Sequence, residues 1–220
     1  MLVFSLVAHE YAHGYAALKQ GDTTAQEQGR LTLNPIPHID PWLTVILPAL
    51  LLFWSGGRFA LGGAKPVPVR PDRYRNFRRG DIIVSSAGVL TNFGLGLASA
   101  AGFLLLGLLA QGVPATAEAA GIAQRMAVWG VWINLMLGVF NLIPIPPLDG
   151  SHLLYHVLPG AWRPGFQRLQ RFGFLPLLAL MLFYPQGIRF LLAPAYLGMS
   201  YFLRVAPPFA ASPHWNIFPS

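Results

Sequence analysis

The chain has 220 residues, of which 54% are hydrophobic and only 10% charged, and it carries a net charge of +7 with no cysteine. A soluble domain carries about 25% charged residues, so this composition excludes an ordinary water-soluble globule, and the mean hydropathy of +0.50 points to a bilayer as the natural solvent. The lack of cysteine excludes disulfides and thiolate metal ligands, and the basic residues flank apolar runs as cytoplasmic loops do, which argues against a nucleic-acid partner.

Residues 1–19 read as a first apolar helix. It is not a signal peptide, because no basic region precedes it and it contains His and Glu. Within VAHEYAHGYA, His9 and His13 are four apart, which puts both imidazoles on one helix face. Neutral imidazole suits Zn²⁺, and a carboxylate directly after the first histidine, Glu10, lies beside such a metal and can take a proton from its water. The competing reading is a pair of hydrogen-bonded core histidines. Ionisable groups inside a membrane are costly and usually functional, which weighs against it.

Residues 20–40 are polar and turn-rich, and His38 and Asp40 in PIPHIDP read as turn and membrane-interface residues, with His38 also able to line a site. Residues 41–54 are apolar but fall short of the roughly 20 residues that cross the hydrocarbon, so this segment is re-entrant or an incomplete, tilted span. Residues 58–79 concentrate arginine and lysine, and read as cytoplasmic. AKPVPVRP inside this loop should be extended, because each proline restricts the residue before it. Residues 82–110 carry no charge and form a transmembrane helix, and 111–125 is a loop on the opposite side. The chain returns over 126–143 and ends in the turn NLIPIPPLDG. Arg163, Arg168 and Arg171 place 160–171 in the cytoplasm. Residues 172–184 and 187–203, broken by Pro185 and Gly187, read as a hairpin, and 206–220 as a short polar, interfacial tail in which His214 stands beside Trp215. The expected fold is an all-α polytopic membrane protein of about four to six membrane segments, a single domain over 1–205, multi-pass in the cell membrane.

Catalytic zinc takes three protein ligands and keeps one position open, so two histidines are not enough. Glu27, His38, Asp40, Asp149, His152 and His156 are candidates. Asp149 stands out at the end of a span, where prolines free the backbone and a carboxylate can turn inward. A turn or N-cap aspartate before the next helix explains it as well, and the pattern leaves both readings open. His152 and His156 are also four apart, but no glutamate follows the first, and they read as helix-face residues near this turn.

HEYAH in an apolar helix, followed by AGVLTN and then NLIPIPPLDG, resembles the site-2 protease family of intramembrane zinc metalloproteases. GDTTAQEQGRLTLNPIPHIDPWLTVILP resembles its compact bacterial branch, which lacks PDZ and CBS domains. The likeness runs from about Val7 to His152. It implies one Zn²⁺ held by His9, His13 and Asp149, with Glu10 as the base that activates a zinc-bound water. It implies a substrate or oxyanion contact for Asn141, and a weaker substrate-binding role for Asn92. A hydrogen bond to a neighbouring helix explains Asn141 equally well and explains Asn92 better than direct chemistry does. Val89 stands where the family usually has proline, and family members usually carry more membrane helix before the motif. The implied activity is hydrolysis of peptide bonds in or near transmembrane segments, with a transmembrane protein as substrate and the lipid bilayer as partner. The rival functions are a non-catalytic metal-binding membrane protein and a metal-ion or proton transporter; Glu10 favours the protease.

If the first helix runs outward to inward, His13 lies about 9 Å from its inner end at Lys19, matching Asp149 near the cytoplasmic surface. Residues 41–54 are then re-entrant; if they span, the first helix reverses. A substrate helix must unwind to be cut, and extended residues 29–37 or 65–71 are expected to pair with it as an added strand.

Overall fold

The computed structural model describes residues 1–54, 56–57 and 62–218, so Arg58 of the expected basic loop lies outside the described residues. All regular structure among the described residues is helical, as the expected all-α class requires. Helices satisfy their own backbone groups, which is the condition a bilayer imposes on an open chain. In chain order they are α1 (Leu2–Gln20), α2 (Thr24–Glu27), a π-helical turn (Pro41–Ile46) running into α3 (Leu47–Trp54), α4 (Phe77–Gly112), α5 (Ala117–Leu142), α6 (Asp149–Val157), α7 (Arg163–Gln170), α8 (Leu175–Phe183) and α9 (Pro185–Val205).

By length and composition, α4 and α5 can each cross a membrane, and α8 with α9 makes a third candidate if the pair is one broken span. At 1.5 Å per residue α4 is about 54 Å long, well beyond the roughly 30 Å of hydrocarbon. Its first turns hold the surplus and carry Arg78, Arg79 and Asp81. The 19 residues of α1 are long enough to cross, but His9, Glu10, His13 and Lys19 make it more polar than α4 or α5. Residues 41–54 form about 21 Å of helix, too short to cross upright. None of the α3 side chains is buried, and Phe53 and Trp54 are 85% and 83% exposed. Where the sequence suggests a hairpin, α8 and α9 meet at a bend of 102°, about halfway between a straight span and an antiparallel pair. Tyr184 sits at the corner with a non-helical backbone, and its ring covers Gly187, where a Cβ would lie 2.2 Å from Tyr184 Cδ1.

The chain divides into two compact units, Leu2–Gly88 and the residues from Val89 onward with Met1, and α4 runs through both. In the N-terminal unit, Ala16, Ala17, Tyr74 and Val84 make a small buried cluster flanked by Val69, Ile83 and Ala87. In the C-terminal unit, α5 and α9 enclose Phe103, Val128, Val131, Met199, Phe202 and Trp215. Small residues let these helices approach closely: a Cβ on Gly130 of α5 would lie 2.4 Å from Ser99 Oγ of α4. Buried Gln124 of α5 donates to the carbonyls of Phe103 and Phe209 and accepts the Ala211 N–H. That one amide, with Trp215 edge-on to Phe103, folds residues 209–215 back onto the helices.

Candidate metal centre

In the N-terminal unit, α1 presents His9 and His13 one turn apart, 5% and 8% exposed. Their Nε2 atoms are 3.0 Å apart. His13 Nδ1 lies 2.7 Å from the carbonyl oxygen of Val84 on α4. A carbonyl can only accept, so Nδ1 carries the hydrogen and Nε2 turns a lone pair toward His9. Metal-binding histidines use the same outer bond to fix ring orientation.

One turn further along α4, Gly88 faces the pair. A Cβ there would lie 2.5 Å from His13 Nε2 and 2.5 Å from His9 Cε1. Gly88 therefore packs so closely against both rings that any side chain at residue 88 would displace them. Two imidazoles with Nε2 atoms 3.0 Å apart and an outer carbonyl holding one ring fit a zinc ion.

Glu10 follows His9 on α1, and its Oε2 accepts the backbone N–H of Val67 at 2.7 Å. Gly14 makes room for that segment: a Cβ there would lie 3.0 Å from Val67 Cγ1. Residues 65–70 are held further along by Asp22, which is 1% exposed and accepts the Arg70 N–H at 2.6 Å. Burial works to raise the Asp22 carboxyl pKa, but hydrogen bonds from Thr24 and Arg70 and the Arg73 charge outweigh it and leave it below the ordinary value. The Tyr74 hydroxyl, buried and near Asp81 and Asp22, is pushed up.

The other candidate ligands of this unit have local roles. His38 is buried and its Nε2 donates to the Thr32 carbonyl. Asp40 accepts the Trp42 N–H at the start of the 41–54 helix, and its own N–H donates to Thr44 Oγ1. Glu27 is exposed, accepts from Thr23 Oγ1 and faces Arg73 at 3.6 Å.

In the C-terminal unit, NLIPIPPLDG is an irregular turn leading into α6. Asp149 is the first residue of that helix and Leu148 is its N-cap. Gly150 is required by close packing, since a Cβ there would lie 2.1 Å from the Leu142 carbonyl oxygen. His152 is half-buried and His156 buried on the same helix. Asn141 donates to the Leu137 carbonyl at 3.0 Å, a bond to its own helix. Asn92 is fully buried and donates to Asn134 Oδ1, tying α4 to α5. Asn134 in turn donates to the Gly130 carbonyl. Gly88, Val84, Val67 and Asn134 are the residues that motif reading misses. Two of them have a visible signal, a glycine and an asparagine inside apolar helices.

Residues 1–184 match the sequence model of peptidase family M50. The chain belongs to peptidase family M50. It is therefore a zinc metallopeptidase of the site-2 protease family, and its apolar helices make it a membrane protein. It is 37% identical over 180 residues to the Bacillus subtilis protein named "Putative zinc metalloprotease YwhC", covering 81% of this chain and 77% of that one. It is 34% identical over 181 residues to Rip2 of Mycolicibacterium smegmatis, given the same description, covering 82% of this chain and 64% of Rip2. Against Rip3 of Mycobacterium tuberculosis the identity is 31% over 163 residues, but this chain spans only 30% of that protein. No solved structure matches.

Proposed function

We propose that this metallopeptidase cuts peptide bonds in or near transmembrane segments of membrane proteins, using one Zn²⁺ held by His9, His13 and Asp149. The observation that carries the reading is the buried His9–His13 pair, with Nε2 atoms 3.0 Å apart and Glu10 beside it, in a chain with helices long and apolar enough to cross a bilayer. Asp149 comes from the family likeness of PPLDG and supplies the third ligand that catalytic zinc requires.

When bound, zinc supplies a Lewis acid that polarises the scissile carbonyl and acidifies water. The Glu10 carboxylate takes a proton from the attacking water as its oxygen adds to the carbonyl carbon. The same carboxyl returns a proton to the leaving amine as the C–N bond breaks. An amide side chain has two N–H groups, and Asn141 spends one on Leu137, leaving the other as a candidate donor to the substrate. For Asn92 the bond to Asn134 supports a helix-tying role, and only the family likeness supports a substrate contact.

The membrane is the cell membrane, with the basic loops 58–79 and 160–171 on its cytoplasmic side. The test is co-reconstitution in liposomes with single-pass transmembrane peptides. Cleavage that needs both zinc and Glu10 supports the reading. Zinc flux across the liposome without any cleavage would instead favour a transporter.

A further inference from the structure

We propose that the Val67 backbone N–H is a fixed brace for Glu10, holding one carboxylate oxygen so that the other is presented to water. The inference rests on the role assigned to Glu10 above and adds a positioning residue to it.

Residues 65–70 read Lys-Pro-Val-Pro-Val-Arg. Pro66 and Pro68 carry no N–H, so Val67 is the one backbone donor between Lys65 and Val69. Each proline also holds the residue before it extended, which fixes where the Val67 N–H points. It points at Glu10 Oε2, 2.7 Å away, within the range of a charge-assisted bond.

The segment is staked on both sides of that donor. Lys65 N–H donates to the His38 carbonyl at 2.8 Å, and the Arg30 guanidinium donates to the carbonyls of Lys65 and Pro66 at 2.9 and 3.4 Å. Arg70 N–H donates to Asp22 at 2.6 Å. The Val67 side chain is 5% exposed and packs against Gly14, one turn along the helix from Glu10. A donor tied this way cannot follow a wandering carboxylate; the carboxylate must come to it. A glutamate on a helix otherwise samples several rotamers, and the brace selects one. With Oε2 held, Oε1 is the atom that exchanges the proton. These ties also bear on the expected strand pairing by residues 65–71: the N–H groups of Lys65, Val67 and Arg70 are engaged within the chain, and Pro66, Pro68 and Pro71 have none.

The rival is obstruction, in which Val67 blocks Glu10 and must leave before turnover. The two ideas predict opposite signs. The test replaces Val67 by its α-hydroxy analogue through nonsense suppression, which turns the N–H into an ester oxygen and keeps the side chain, while making the Pro66 carbonyl a weaker acceptor for Arg30. Val67→Pro is the second variant, and Val67→Ala is the control that keeps the donor. Zinc content, kcat and KM are measured on a single-pass transmembrane peptide in liposomes. The brace predicts that the ester and Val67→Pro lose about 10- to 100-fold in kcat, with zinc content and KM unchanged. Val67→Ala, which keeps the donor but truncates a buried side chain, loses less kcat than the ester, and the ester adds no further loss in the Glu10→Gln background. Wild-type or increased kcat in the ester form overturns the brace.

A readout independent of turnover separates this inference from its parent. The ester should lower the thermal unfolding midpoint of the protein with Glu10 in place, and not that of Glu10→Ala. Equal losses in both backgrounds overturn the brace. Cleavage that does not depend on Glu10 overturns the parent reading, whatever the midpoints show.

Discussion

His13 Nδ1 and the Val84 carbonyl oxygen are 2.7 Å apart, a bond from α1 to α4 that fixes the tautomer of a candidate metal ligand. Val84 lies one helical turn before Gly88, which packs against both imidazoles so closely that a Cβ would lie 2.5 Å from His13 Nε2. One stretch of α4 therefore both orients His13 and packs its backbone directly against the pair.

Gly88→Ala should damage the metal centre through sterics alone. Alanine is the better helix former, so helix propensity favours the variant, yet its Cβ would meet His13 Nε2 at 2.5 Å. Zinc affinity should fall by about 10- to 100-fold, the scale of outer-shell damage. Gly94→Ala, where nothing lies within 4 Å of the added Cβ, is the control and should keep its zinc. Metal analysis of purified protein decides; full zinc in Gly88→Ala would remove the proposed crowding.

Asp149→Ala should lower zinc occupancy as sharply as His9→Ala or His13→Ala, because each leaves two ligands where three are required. Full occupancy in Asp149→Ala would place the third ligand elsewhere, with His38, His152 and His156 next to be tested.

The motif residues were legible because their spacing is a property of one helix: four residues bring His9 and His13 to one face whatever surrounds them. The two long spans were legible for a similar reason, since uncharged length is local. What the sequence hid is set by contacts between distant segments. Nothing in SSAGVLTN says that Gly88 faces two imidazoles, and nothing in KPVPVR says that the Val67 N–H meets Glu10. The corner at Tyr184 was half legible: Pro185 announced a break, but a bend of 102° rather than a hairpin depends on how the ring packs over Gly187. Residues 209–215 offered only polarity, because the amide that holds them, Gln124, lies far back on α5.

Asp22 should contribute an acid-sensitive part of the stability of the N-terminal unit. Its folded pKa lies below the ordinary 3.8, so the ionised form is favoured by folding. That contribution is complete above 3.8 and is lost as pH falls through the lower folded value. Asp22→Asn removes charged hydrogen bonds and should cost about 1–3 kcal/mol near neutral pH. Thermal unfolding of wild type and variant across acidic pH should show the gap closing below pH 3.8. A gap that stays constant into strong acid would show that charge is not what Asp22 supplies.

Topology can be read with single cysteines, since the chain has none of its own. Arg75→Cys and Arg168→Cys should react with an impermeant thiol reagent from the cytoplasmic side, and Ala115→Cys, between α4 and α5, from the other. Labelling of all three from one side would break the assignment of α4 and α5 as two crossings.

The most direct measurement is Glu10→Gln assayed for zinc and for cleavage in the same preparation. Glutamine keeps the size of the side chain and can still meet the Val67 N–H through its carbonyl oxygen, but it cannot take a proton from water. General-base assistance is worth about 10²–10⁴-fold, so the variant should fold, hold its zinc and retain at most about one per cent of wild-type proteolysis of a transmembrane substrate. Cleavage at the wild-type rate by a zinc-loaded Glu10→Gln protein would contradict the account.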